Sequence, residues 1–112
     1  MDNVKDDRYY AEKILHYVKV AISCSKRVDF SDPEGSEEGI YAINFCLIEI
    51  RELSEKLTPS FKKEKFPVSI EDLINFRNTL THDYGNIDFS VYRSLVKKDL
   101  PKIQSALEKY LK

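Results

Sequence analysis

The chain has 112 residues, 42% of them hydrophobic and 33% charged, with 18 Lys+Arg against 19 Asp+Glu and a formal net charge of -1. That length fits one domain spanning residues 1–112 and suffices to hide roughly two-thirds of the unfolded surface. The near-zero charge excludes a generally cationic nucleic-acid coat protein, while the apolar content excludes a disordered tail. Three glycines and four prolines are too few turn residues for an all-β fold. The longest uncharged stretch, Gly39 to Ile48, is far shorter than the ~20 residues of a membrane span. The acidic start, Met1 to Asp7, does not read as a signal peptide. Cys24 and Cys46 sit in apolar-periodic segments and read as free thiols in a reducing cytoplasm. No Cys/His cluster with metal-ligand spacing occurs in the sequence, so neither a metal nor a cofactor is expected.

In chain order, the first helix is expected from about Asp2 to Val28. Ala11, Ile14, Leu15, Val18 and Ile22 form its apolar face, with Tyr10 and Tyr17 beside it. Asp29 to Ser36 is a loop by composition, and Ser36 is placed to cap the second helix, Glu37 to Leu57. Ile40, Ile43, Leu47, Ile50 and Leu57 make one stripe there, while Phe45, Cys46, Ile48 and Leu53 widen it, as in a central or interface helix. Thr58-Pro59 ends this helix, and Ser60 to Val68 reads as a joint. Ser69 starts a third helix that stops near Gly85. Asp88 caps the last segment, in which Asp99-Leu100-Pro101 reads as a fresh cap with proline in the first turn. The expectation is all-α: a four- to five-helix up-down bundle, its last helix broken at Pro101.

Charge is uneven along this plan. Residues 1–38 carry 6 basic and 9 acidic side chains, whereas residues 93–112 carry 6 basic and 2 acidic ones. The latter is a solvated helix face or a surface that meets a phosphate chain, with Lys97 and Lys98 as candidate contacts and Lys62 and Lys63 in the joint as others. His16 reads as a boundary histidine. Tyr9, Tyr10, Tyr17 and Tyr41 read as core or interface aromatics.

The run Phe76 to Gly85 holds the most chemistry. Asn78 and His82 are i, i+4 and share a helical face, while Arg77 and His82 are about 140° apart around the axis at ~100° per residue. His82 falls in the last turn, where the helix dipole favours its protonated form. A histidine that moves protons, a guanidinium that neutralises phosphate charge and an orienting amide suit phosphodiester cleavage without a metal. Spacing alone fits a structural histidine near a helix end equally.

The run Arg77-Asn78-Thr79-Leu80-Thr81-His82-Asp83-Tyr84 resembles the R-N-x-x-x-H-x-Y signature of HepT-type HEPN-domain proteins. Glu49 to Leu57, Phe66 to Leu73 and Asp99-Leu100-Pro101 resemble the segments around that signature. The resemblance implies a helical-bundle ribonuclease toxin of a toxin–antitoxin pair, acting as a homodimer whose two motifs form one composite site. It implies Arg77 and His82 as catalytic with Asn78 in support, and RNA as substrate. It also implies a minimal nucleotidyltransferase (MntA-like) antitoxin that transfers AMP to Tyr84. The alternative within the same superfamily is a noncatalytic substrate-binding subunit of a nucleotidyltransferase, which usually lacks the full motif. Two departures stand out: Arg51-Glu52-Leu53 where the family often has Gly-Glu-Ala, and Gly85 directly after Tyr84.

Overall fold

The computed structural model describes residues 5–66 and 89–112, and every regular element among them is helical. α1 spans Asp7–Ser25. It begins where Asp6 accepts a hydrogen bond from the Tyr9 backbone N–H at 3.0 Å, which satisfies one of the free N–H groups of the first turn. It is shorter at both ends than its periodicity suggests. Beyond Ser25 the chain leaves the helix through turns, Arg27 N–H to the Cys24 carbonyl and Val28 N–H to the Ser25 carbonyl.

α2 spans Glu37–Ser54 and follows a single 3-10 turn, Glu34–Ser36. Ser36 does stand at its N-cap, but the hydroxyl is used elsewhere. It accepts the Asp29 backbone N–H at 3.1 Å and closes the loop across seven residues. Within that loop the Ser31 hydroxyl and backbone N–H hold the Asp29 carboxyl below the usual carboxylate range. Gly39 lets α2 meet the end of α1: a Cβ there would lie 2.5 Å from Val28 Cγ2.

The joint expected at Ser60 to Val68 is in large part a helix. α3 spans Pro59–Lys65, with Thr58 as N-cap and Pro59 in its first turn. Seven residues with one buried side chain, Phe61, give too few repeats for periodicity to show.

α4 (Phe89–Ser94) and α5 (Leu100–Leu111) are joined by a π-helical turn, Leu95–Asp99. The α-helical ladder is thus interrupted just before Pro101, but without a fresh cap: Asp99 has helical dihedrals and makes no side-chain cap bond. The Leu100 N–H reaches back five residues to the Leu95 carbonyl. A wider turn accommodates a ring that has no N–H to give to the preceding turn.

The core is one cluster in which Ala11, Ile14 and Val18 of α1 meet Ile40, Ile43 and Ile50 of α2 and Leu100, Ile103 and Leu107 of α5. Their spacings are helical, so each helix buries one face. Two serines are fully or almost fully buried at helix ends, and each turns its hydroxyl onto its own helix: Ser25 to the Ile22 carbonyl at 2.6 Å, Ser54 to the Arg51 carbonyl at 2.7 Å.

Directions follow from the long-range bonds. Arg8 donates to the Leu111 carbonyl, and Lys97 donates to the Ser25 carbonyl, so α1 and α5 are antiparallel. Asp7 meets Thr58, and Val28 meets Gly39, so α1 and α2 are antiparallel too. Phe61 packs edge-on against Tyr110, with ring centroids 4.8 Å apart, which seats α3 at the Asp7 end.

Candidate functional site

Arg77, Asn78, His82 and Tyr84, together with the third helix expected to carry them, lie outside the described residues. The frame on either side of them is described. Phe66 is buried after α3, at the Asp7 end of the bundle. Tyr92, three residues into α4, is fully buried at the opposite end. Its hydroxyl donates to Asn44 Oδ1 at 2.6 Å, with the Ile40 carbonyl at 3.3 Å. A buried phenol needs such a partner, so the pair fixes the height of α4 on α2. The two segments that flank the motif in sequence are therefore anchored at opposite ends of α1.

The four lysines singled out from the sequence do not form one patch. Lys97 extends its ammonium to the Ser25 carbonyl at 3.4 Å and lies 5.7 Å from the centre of the Phe30 ring. It thereby offsets the negative end of α1. Lys98 beside it is exposed. Lys62, half-buried, and Lys63, exposed, sit on α3 near Tyr110, at the other end of α5. Thirteen residues of helix separate Lys97 from Tyr110, about 20 Å at the α-helical rise.

Arg51 answers the first departure from the family pattern. Its Nη1 lies 2.8 Å from Glu55 Oε2 and 3.3 Å from Glu52 Oε1, so the guanidinium folds along its own helix. Its buried Nε has no hydrogen-bond partner. The small surface that a Gly-Glu-Ala sequence would give α2 is occupied here by a self-neutralised arginine.

Between α1 and α2 runs a groove of about 600 Å3, lined by Tyr9, Tyr10, Tyr17 and Leu53 with lysines and glutamates around them. Lys5 and Lys13 lie 5.8 and 5.1 Å from the centre of the Tyr9 ring. His16 is exposed and stands edge-on to Tyr17, with ring centroids 5.3 Å apart. Sequence reasoning grouped Tyr41 with core or interface aromatics; it is more than half exposed, as is Phe45. The signal was present, since Tyr41 and Phe45 fall off the Ile40/Ile43/Leu47/Ile50 stripe.

Both cysteines are free; Cys46 is buried and Cys24 half-buried. Burial pushes the Cys46 thiol up to about 11, with Cys24 and Glu49 adding to the shift. Among the described residues no group of His, Cys, Asp and Glu is arranged to hold a metal ion, and no helix is long and apolar enough to cross a membrane.

Comparison with known proteins gives this frame an identity. The family model "Ribonuclease HepT-like" matches residues 9–110. A protein of Methanocaldococcus jannaschii named "Putative RNase MJ1380" is 30% identical over 105 residues, covering 93% of this chain and 95% of the relative. A second from that organism, "Putative RNase MJ0125", is 28% identical, covering 96% of this chain and 93% of the relative. "Probable ribonuclease HepT" of Thermococcus cleftensis is 24% identical, covering 92% and 94%. No solved structure gives a significant match. The match runs through the motif from Arg77 to Tyr84 and through every helix described above, and the chain belongs to the HepT-like ribonuclease family.

Proposed function

We propose that this protein is a metal-independent endoribonuclease, the toxin of a toxin–antitoxin pair, with Arg77 and His82 as its catalytic residues. The observation that carries this is the intact Arg77-Asn78-x-x-x-His82-x-Tyr84 run inside a chain that matches the ribonuclease family from residue 9 to 110. The chemistry is that of the residues themselves. One imidazole takes the proton from a ribose 2′-hydroxyl as that oxygen attacks phosphorus. The bond from phosphorus to the 5′-oxygen breaks, and a protonated imidazole returns a proton to it. The products are a 2′,3′-cyclic phosphate and a 5′-hydroxyl. Arg77 balances the charge that builds on the phosphate oxygens, and Asn78 orients the imidazole or the phosphate.

Two imidazoles in opposite protonation states are most simply supplied by two copies of His82, so the working unit in this reading is a homodimer. Tyr84 is the site at which a minimal nucleotidyltransferase adds AMP. The added phosphate repels an incoming RNA backbone beside the motif, which silences the enzyme.

The test is RNA cleavage by wild type, Arg77→Ala and His82→Ala in the presence of EDTA. Wild type yields cyclic-phosphate ends, and both variants lose them. Indistinguishable RNA profiles for wild type and His82→Ala would overturn the reading. Mass spectrometry after coexpression with the cognate transferase reports on Tyr84: an unmodified tyrosine there removes the AMP step.

A further inference from the structure

The outer face shared by α1 and α2 carries an aromatic patch that the bundle core does not use. Phe45 is 57% exposed, Tyr41 54% and Val20 36%. Phe45 stands edge-on to Tyr17, with centroids 6.1 Å apart. Tyr41 lies one turn from Phe45 on α2, and Val20 one turn from Tyr17 on α1, so the four are continuous. Large apolar side chains grouped in this way mark an interaction surface, whereas scattered ones do not.

Charge around the patch is sorted by helix. At ~100° per residue, the cations within about 70° of Tyr17 and Val20 on α1 are Lys5, Lys13 and Arg27, and no carboxylate of that helix's interior falls among them. The corresponding arc around Phe45 on α2 holds Glu38, Glu49 and Glu52, with Lys56 at its far end. A polyanion laid along this face would meet the acidic half. A generally acidic or generally basic protein would meet one unfavourable half. A second copy related by a two-fold axis meets neither, because its α2 covers the first copy's α1 and the reverse.

We propose that this face binds a second copy of the chain, with Phe45, Tyr41, Tyr17 and Val20 at the centre and α1 of each copy crossing α2 of the other. The surface is its own complement in shape class and in sign of charge. It lies on helices outside the Arg77–Tyr84 run, so it sets how two chains are held independently of the residues that act on RNA.

The test is mass by sedimentation equilibrium over a range of protein concentrations. Wild type is dimeric. Phe45→Glu raises the dimer dissociation constant about 30-fold or more, as loss of a central aromatic anchor does, and keeps the wild-type far-UV circular dichroism. Lys13→Glu and Glu49→Lys each weaken the dimer, and mixing the two restores it, because each faulty contact is then matched in the heterodimer. A monomeric wild type overturns the proposal. So does a Phe45→Glu variant with wild-type mass, including one that has instead lost RNA or a coexpressed partner, which assigns the face to that molecule. A mixture that fails to reassociate overturns the crossed arrangement. Mass is read without RNA, so failure of cleavage and failure of this interface are separate results.

Discussion

Asp7 and Thr58, 51 residues apart, are joined by two hydrogen bonds: the Thr58 N–H to Asp7 Oδ1 at 2.8 Å and the Thr58 hydroxyl to Oδ2 at 2.7 Å. The same hydroxyl accepts the Phe61 N–H at 3.3 Å, so one threonine caps α3 and fastens it to the start of α1. Each partner is accessible to water, which limits the contribution. Asp7→Ala should cost about 1 kcal/mol and Thr58→Ala about 1–2 kcal/mol, the second including a lost cap. The double variant should cost less than the sum by roughly 0.5 kcal/mol or more in urea unfolding. Strict additivity would show that the two residues do not act as a pair.

Gly39 is needed for space. No described residue has positive φ, so backbone freedom is not what glycine supplies here. A Cβ would sit 2.5 Å from Val28 Cγ2. Gly39→Ala gains up to about 1 kcal/mol of helix propensity and loses about 1–3 kcal/mol to overpacking. The expected outcome is a net loss of about 1 kcal/mol, or about 5 °C in melting temperature. Adding Val28→Ala to Gly39→Ala should remove the clash and recover part of the loss. A melting temperature unchanged by Gly39→Ala alone would show that the two helices are not held that close.

Tyr92 reports on the seat of α4. Tyr92→Phe keeps the ring packed against Phe30, at a centroid distance of 5.7 Å, and deletes the 2.6 Å bond to Asn44. A loss of about 1–1.5 kcal/mol is expected, the usual net value of such a bond, with Asn44 half-buried and open to water as a substitute partner. If the phenylalanine variant is as stable as wild type, the hydroxyl does not fix α4.

Cys46 makes the fold sensitive to alkali. Its thiol is held near 11 in the folded protein against 9.0 for a free side chain, and burial is the main cause. In the unfolded chain the thiol loses its proton first. Stability from this group is therefore complete below pH 9.0 and falls as pH rises toward 11. The loss should reach roughly 2–3 kcal/mol at full ionisation, and Cys46→Ala should lack this part of the pH dependence. Parallel wild-type and variant curves between those two pH values would contradict it. In the native state, alkylation at pH 8 should label the half-buried Cys24 ahead of Cys46.

Long, strongly periodic helices were legible in the sequence because burial imposes a repeat on them. Ile14 and Val18, or Ile43, Leu47 and Ile50, have nowhere else to go. α3 was less legible. Thr58-Pro59 is the same cap-and-proline signal recognised at Asp99-Leu100-Pro101, but at Pro59 it was taken only as a stop for the preceding helix. At Asp99 the opposite holds: the signal is present, yet the chain remains helical through a wider turn, because Val96 and Leu100 are both held in the core. Ser36 shows that a capping residue follows its best available partner, here Asp29. The motif from Arg77 to Tyr84 was legible as a pattern of residue types. Its geometry depends on contacts between separate elements, and a one-dimensional pattern does not contain them.

The π turn at Leu95–Asp99 also sets a phase. From Tyr92 to Leu107 the buried positions Tyr92, Val96, Leu100, Ile103 and Leu107 recur on average every 3.75 residues, four steps in 15. An unbroken α-helix turns every 3.6 residues and would drift by about 60° over that distance. The wide turn takes up drift of this order, so the segment behaves like a screw cut to a fixed length. Removing one residue between Lys97 and Asp99 would rotate everything beyond it by about 100°. Ile103 and Leu107 would then face water, and Tyr110 would leave Phe61. Substitutions on the outside of this segment are tolerable on these grounds. A change of even one residue in its length is not.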